Sequence, residues 1–441
     1  MTLYNETALH VFAPAMDLIR GTHTMSCLRT LEESQWWSFE RIERLQAERL
    51  RRLITNTYQH VPGYRGIMQQ RGLRPQDIDS PAALVKLPIL TKADIRAAGD
   101  SMVSDAVDRS QLRRMSTSGS MGEPLRFYGS KEDQFSHGMA RTFRALGWAG
   151  IRLGDRYATL SRPRHYPRRR EQMLHQLSLR VRRSVELDYG SLSEECVLQI
   201  ARQLRDGRFT ALGGSPPLLC LLADCVRDHK IELPVLTSIV SFGEQLYSHE
   251  RRRLRETLGH EPYSKYGAFE VYDIASECES HQGMHIQSED VIVEVVDEAG
   301  TIQPAGRPGR ILLTSLHNYD MPFIRYDIGD IGTLDLSPCA CGRQLPRLTG
   351  MVGRTSELLL TRSGRRIFGD NIDFESFGQL GVRQFRLVQP GMDRVVAYIA
   401  WHPDVPPESR PELERRLAAI LRRDIGEDME VTVEAVERIE P

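Results

Sequence analysis

Lysine is scarce in this chain: of 58 basic residues only Lys86, Lys92, Lys131, Lys230 and Lys265 are lysine, so no ammonium is available after Lys265. Long apolar runs are missing as well. The longest candidate, Pro216 to Val226, is interrupted by Asp224 and falls short of the roughly 20 residues that span a bilayer, so no transmembrane segment is expected. Net charge is nearly absent, formally −1, which leaves no global field to draw the protein to nucleic acid or to an anionic membrane. The arginine clusters Arg168 to Arg170 and Arg251 to Arg253 read as solvated helix faces. The first residues lack a basic segment followed by an apolar core, and the expected location is cytoplasmic. Seven cysteines, an odd number in a chain of 441 residues, argue for thiols or metal ligands and against a disulfide framework.

What is present is an ordinary globular composition, 40% hydrophobic and 27% charged, enough for two to three domains. Glu32 to Tyr64 carries apolar residues at spacings of three and four, which predicts one docking helix ending at Val61-Pro62-Gly63. Thr91 is expected to cap a helix after Leu87-Pro88-Ile89-Leu90. Lys131 to Trp148 reads as a further helix. From Arg156 to about residue 260 strands and helices alternate, the rhythm of an α/β layer with ligand-binding loops at strand ends. Val291 to Val296 and Gly309 to Ser315 predict a two-strand meander, and the segment after Gly353 predicts a small α+β domain. The expected fold is thus α/β: a large N-terminal domain of α/β layers with a β-rich portion, residues 1–353, and a small C-terminal α+β domain, residues 354–441.

Met115 to Glu123 alternates hydroxyls with glycines, so its backbone can bend tightly and turn N–H and O–H donors on an anion. No Gly-Lys-Ser/Thr follows, which excludes the Walker type. Tyr266-Gly267-Ala268-Phe269-Glu270 places an aromatic, a glycine and a carboxylate within five residues. Met321 to Asp330 sets an arginine among apolar residues and a carboxylate beside a glycine, where backbone can approach a sugar. Cys278, His285, Cys339 and Cys341 supply three thiolates and an imidazole, a tetrahedral zinc set if the two segments meet, with His281 able to replace His285; the alternative is separate buried thiols.

Taken in this order, the phosphate loop, Tyr-Gly-x-x-Glu, Arg-Tyr-x-x-Gly-Asp and Gly353-Arg354 resemble the adenylate-forming superfamily. Within it the chain is similar to the phenylacetate-CoA ligases and the related capsule-biosynthesis-type proteins. Trp36-Trp37, Leu87 to Lys92, Phe242-Gly243-Glu244 and the run from Glu277-Cys278 to His285 add to the likeness, which covers about residues 30 to 440. The resemblance implies that Thr117, Ser118, Gly119, Ser120 and Gly122 hold ATP phosphates, with Gly243 and Glu244 also on the nucleotide side. It implies that Tyr266 and Gly267 form the adenine and acyl-adenylate wall, that Glu270 is the Mg²⁺ carboxylate, that Asp330 accepts from the ribose hydroxyls, and that Arg354 opens the small domain. Ser241, Phe242 and Ala268 stand beside these motifs as the expected acid pocket. The cysteine and histidine set becomes a structural Zn²⁺ site.

The implied reaction is ATP-dependent activation of a small organic carboxylic acid as its adenylate, then transfer to a thiol of CoA or of a phosphopantetheinyl carrier protein. The alternative is a degenerate member that binds nucleotide or acyl-adenylate with little adenylation. Two departures bear on it. Ser356 stands where the family commonly has an acidic hinge residue, and the family's Pro-Arg-x-x-x-Gly-Lys lysine has no counterpart after Lys265. For this sequence as it stands slow adenylation with retained nucleotide binding is expected, with arginines such as Arg365 or Arg366 as substitute cations; the alternative is a truncated form whose full chain carries the lysine motif and adenylates fast.

Overall fold

The computed structural model describes residues 2–116, 125–130, 132–161, 169–188, 194–351, 359–361, 366–367, 372–437 and 439. Two compact units emerge, one made of residues 1–246 and 250–351, the other of 247–249 and 352–441.

In the first unit the expected docking helix covers the end of α1 (Thr24–Ser34), the whole of α2 (Phe39–His60) and, past the extended Val61, the start of a further helix over Pro62–Gln70, so Pro62 and Gly63 open a helix there. Ile42, Leu50, Leu53, Ile54 and Thr57 form the buried stripe of α2 at helical spacing. The break falls where Gln35 is held from outside: its Oε1 accepts from Trp148 Nε1 at 2.8 Å and from Arg343 Nε at 2.9 Å. A short antiparallel pair follows, β1 (Arg113–Ser116) with β2 (Arg126–Gly129). The predicted helix over 131–148 begins instead as a π-helical turn, Glu132–Gly138, and becomes α3 only at Met139–Trp148.

The alternation downstream builds β3 (Tyr157–Ser161), β4 (Ser184–Asp188), β5 (Ala211–Gly214), β6 (Ser238–Phe242) and β7 (Tyr263–Ala268), all parallel. Helices α4 (Glu194–Asp206), α5 (Pro216–Asp228) and α6 (Ser248–Leu258) connect them. Ala158, Leu160, Leu212 and Ile239 pack on α4 to α6, whereas Ala211 and Val240 face Leu146, Ala149 and Ile151 at the end of α3. Both faces being covered, the strands are apolar on both sides.

The expected meander is part of something larger. After β7 come β8 (Tyr272–Glu277), β9 (Met284–Ile286), β10 (Val291–Val296), β11 (Pro308–Ser315), β12 (Tyr326–Asp335) and β13 (Arg347–Thr349), all antiparallel to their neighbours. They extend the same sheet to 11 strands in the order β10-β11-β12-β13-β9-β8-β7-β6-β5-β3-β4. A local window sees the β10–β11 turn but not the long-range pairing of β13 with β9.

In the second unit, β14 (Leu359–Leu360) pairs with β15 (Arg366–Ile367). A separate sheet of β16 (Val382–Gly391), β17 (Arg394–Trp401) and β18 (Glu430–Ala435) packs on α7 (Arg410–Ile425) through Leu417, Leu421 and Ile425. It is an α+β unit with its own core. No helix among the described residues is long and apolar enough to cross a membrane.

Candidate active site

The β1–β2 stem flanks residues 117–124, so Thr117, Ser118, Gly119, Ser120 and Gly122 lie outside the described residues, as does Arg354. The stem itself is tightly held. Phe127 meets Phe323 edge to face with ring centroids 5.7 Å apart, and the Tyr128 N–H donates to Met321 Sδ at 3.3 Å. The Tyr272 hydroxyl points at Met115 Sδ, 3.7 Å away. The β1–β2 stem is thus seated on the Met321 to Phe323 stretch and on the first residue of β8.

That stretch leads into β12, and two tyrosine–carboxylate contacts close over it. Tyr266 donates to Asp330 Oδ2 at 2.7 Å, and Tyr326 donates to Glu270 Oε1 at 2.7 Å. Glu270 is buried in the turn between β7 and β8. Burial, with the Glu270 charge alongside, pushes the Tyr326 hydroxyl far above its ordinary range, so it stays a neutral donor to a carboxylate. Gly267 is required by close approach: a β-carbon there would fall 2.7 Å from the carbonyl oxygen of Tyr272. Phe242 closes β6, and Gly243 and Glu244 follow it exposed. Ser241 and Phe242 are successive in β6 and so point to opposite faces; Ser241 is buried, and its hydroxyl has no partner among the described residues. Ala268 is half-buried at the end of β7.

Arg325 is buried with φ +50 and is taken up by the protein itself. Its Nε lies 3.1 and 3.2 Å from the two oxygens of Glu294, and Nη1 donates to the Leu87 carbonyl at 2.8 Å. Leu90 then pairs with Tyr326 through Leu90 N–H to Arg325 O, 3.0 Å, and Asp327 N–H to Leu90 O, 2.9 Å. The Leu87 to Leu90 segment is in this way an extra strip laid along β12, and Arg325 is its clamp.

Cys278, His285, Cys339 and Cys341 converge, with their ligand atoms all within 4.8 Å of one another. Cys278 Sγ and Cys339 Sγ are 3.8 Å apart, and Cys341 Sγ is 3.3 Å from His285 Nε2. His285 Nδ1 lies 2.9 Å from the Leu345 carbonyl, which accepts from Nδ1–H and so leaves a lone pair at Nε2 facing the sulfurs. His281 is not in this group; it pairs with Glu277 Oε2 at 3.0 Å.

Scattered positions escaped the sequence reading because nothing local marks them. His137 and His317 stack with centroids 3.3 Å apart, and Asp290 Oδ1 lies 2.9 Å from His317 Nε2 while Oδ2 lies 3.4 Å from His137 Nδ1. Arg49 Nη1 reaches Asp290 Oδ1 at 2.6 Å, and Arg141 Nε is 3.8 Å from Oδ2. Two guanidiniums on one carboxylate make this an ion-pair network, not a cation site. Burial opposes charge on both histidines. Asp290 outweighs it at His137, lifting it to about 10, and fails to at His317, which falls to about 4.

Comparison with known proteins bears on this site. The chain is 27% identical over 414 residues to the phenylacetate-coenzyme A ligase of Aromatoleum evansii, covering 90% of each. It is 28% identical over 334 residues to the phenylacetate-coenzyme A ligase of Thermus thermophilus, covering 73% of this chain and 72% of that one. The fold matches a solved 2-hydroxyisobutyryl-CoA ligase in the postadenylation state with R3-HIB-AMP, at a TM-score of 0.76 and 20% identity over 92% of this chain and 88% of that one. No family model matches the chain. Glu270 and the Tyr266–Asp330 contact lie along the large sheet, with the separate β1–β2 pair seated beside them, and in sequence and fold the chain is similar to adenylate-forming ligases. Within that superfamily it is phenylacetate-CoA ligase-like.

Proposed function

We propose that the chain uses ATP to convert a small carboxylic acid, aryl or acyl, to its adenylate and passes the acyl group to the thiol of coenzyme A. The substrate carboxylate attacks the α-phosphorus and pyrophosphate leaves; the thiol sulfur then attacks the acyl carbonyl and AMP leaves. The observation that carries the reading is the Tyr266–Asp330 hydrogen bond of 2.7 Å, which sets an aromatic wall beside a carboxylate able to accept from ribose hydroxyls. In this reading residues 117–122 cradle the phosphates, Gly243 and Glu244 border the nucleotide, and Phe242 and Ala268 border the acid, Ser241 backing the same strand from its opposite face. Arg354 opens a small domain that begins at residue 354. Glu270, a hard oxygen donor, would hold Mg²⁺, which spreads charge off the phosphoryl oxygens. A carrier-protein thiol is the variant acceptor, and the cytoplasm the expected compartment.

The cysteine and histidine cluster suits Zn²⁺. An S–S separation of 3.8 Å is what two thiolates at about 2.3 Å from a tetrahedral ion require, and four donors leave no open position. Cys278, His285, Cys339 and Cys341 would hold a structural ion joining β8 and β9 to the turn before β13. The alternative reading is nucleotide binding with slow adenylation. The separating experiment is nucleotide affinity beside pyrophosphate release: affinity without release supports the second reading, and both together support the first.

A further inference from the structure

A charged pair lies on the α3 face of the sheet and is used by none of the chemistry above. Lys265 of β7 sends Nζ to Asp273 Oδ1 of β8 at 2.9 Å, and the two side chains are 16% and 9% exposed. Thr142 of α3 donates to the other oxygen, Oδ2, at 2.5 Å. Asp273 is thereby occupied on both oxygens, while Lys265 retains N–H donors beyond the one it spends on Asp273. The ammonium lies 5.3 Å from the ring centroid of Phe242, its register partner across β6 and β7. Farther along the same face the Tyr157 hydroxyl fills the place of a side chain at Gly213, where a β-carbon would fall 2.1 Å from that oxygen. Ser276, the register partner of Lys265 on β8, has a buried hydroxyl without a partner among the described residues.

These groups gather near the carboxyl ends of β5, β6 and β7, where an open α/β sheet takes its ligand, next in sequence to Tyr266 and Gly267. Burying an ion pair costs more than filling the same space with apolar side chains, so its presence beside Phe242 is not explained by stability. We infer that Lys265, Asp273 and Tyr157 select the acid: the substrate is an aromatic acid whose ring lies along Phe242 and whose far end bears a neutral hydrogen-bonding group, a phenolic hydroxyl. This rests on the adenylation reading above. Because Lys265 and Asp273 balance each other, a second carboxylate or an ammonium on the substrate would arrive uncompensated, whereas a hydroxyl accepts from the free lysine N–H and donates to a tyrosine oxygen.

The test uses the full chain with two acids, 4-hydroxyphenylacetate and phenylacetate, and with their non-reacting sulfamoyl-adenosine analogues. The hydroxylated member of each pair should be preferred by at least about tenfold, in kcat/KM for ATP–pyrophosphate exchange and in calorimetric affinity. In Lys265→Met that preference should collapse toward unity, mainly through KM, and Lys265→Arg should restore part of it. Terephthalate should be rejected. If the analogues bind with no hydroxyl preference, the inference is overturned and the adenylation reading stands. Binding of neither analogue overturns both. A preference that survives Lys265→Met in a folded variant overturns the role of the lysine.

Discussion

The hydroxyl of Tyr266 donates to Asp330 at 2.7 Å, although the strands that carry these residues, β7 and β12, are four places apart in the sheet. Laid flat, four strand spacings would separate them by roughly 19 Å. The antiparallel half must therefore curl back on the parallel half, and the Tyr326–Glu270 hydrogen bond, also 2.7 Å, repeats the closure. Curvature is what turns two motifs some sixty residues apart into one hydrogen-bonded wall.

Asp330→Ala should weaken ATP binding by about 1.5–3 kcal/mol, on the order of tenfold to a hundredfold, since a charge-assisted hydrogen bond is lost. Calorimetric titration with a non-hydrolysable ATP analogue checks it. Ser118→Ala with Ser120→Ala, or Gly119→Val, should lower nucleotide affinity much more than melting temperature; unchanged affinity in a folded variant would remove the phosphate loop from the account.

Arg325 is expected to matter for stability more than for ligand. Truncation to alanine leaves Glu294 buried without its partner and frees the Leu87 carbonyl, at a cost of about 3–5 kcal/mol. Urea unfolding of Arg325→Ala measures it, and the paired change Arg325→Met with Glu294→Leu should recover part of the loss.

Protein prepared without added metal should carry one zinc per chain. Cys339→Ser or chelation should lower the melting temperature, because the ligands tie together segments 61 residues apart in sequence. A metal-free protein of unchanged stability with freely titrating thiols would return these residues to the role of ordinary buried side chains.

The buried His137 makes stability depend on alkaline pH. Its folded value, about 10, stands above the ordinary 6.5, so the native state binds the extra proton between those limits. The stabilisation is complete below about 6.5 and is lost as pH rises toward 10, on the order of 5 kcal/mol. Denaturant midpoints measured across that range should fall, and His137→Gln should flatten the fall. On the acid side His317, at about 4, and Asp133, lifted by burial to about 6 despite Arg141, act in opposite senses. That limb should be shallow.

Arg365 and Arg366 are the cations proposed to bring positive charge toward the substrate carboxylate and the α-phosphate. Replacing Arg365 and Arg366 together by alanine should slow pyrophosphate release by an order of magnitude or more, with nucleotide affinity kept. Equal rates in the variant would assign the charge elsewhere.

Local chemistry made much of this legible. Tyr266-Gly267 and Gly329-Asp330 are short motifs that the fold brings together, Cys-Ala-Cys at 339–341 is marked by its spacing and converges with Cys278 and His285, and the run of hydroxyls and glycines lies outside the described residues. The rest depends on contacts across the chain. The break at Gln35 is made by Trp148 and Arg343, the joining of two expected sheets into one by the β9–β13 pairing, and the Lys265–Asp273 pair by the bulged β7–β8 register. Arg325 was rightly conspicuous as a charge among apolar residues, but only the fold supplies Glu294 as its partner.

The central claim is adenylate formation, and the most direct measurement is ATP–pyrophosphate exchange across a panel of aryl and aliphatic acids, with hydroxamate trapping of the acyl product. The account predicts exchange that requires both ATP and one class of acid, is lost in Asp330→Ala and in Glu270→Gln, and yields a thioester when coenzyme A is supplied. Tight nucleotide binding with no acid-dependent exchange from any member of the panel would contradict it.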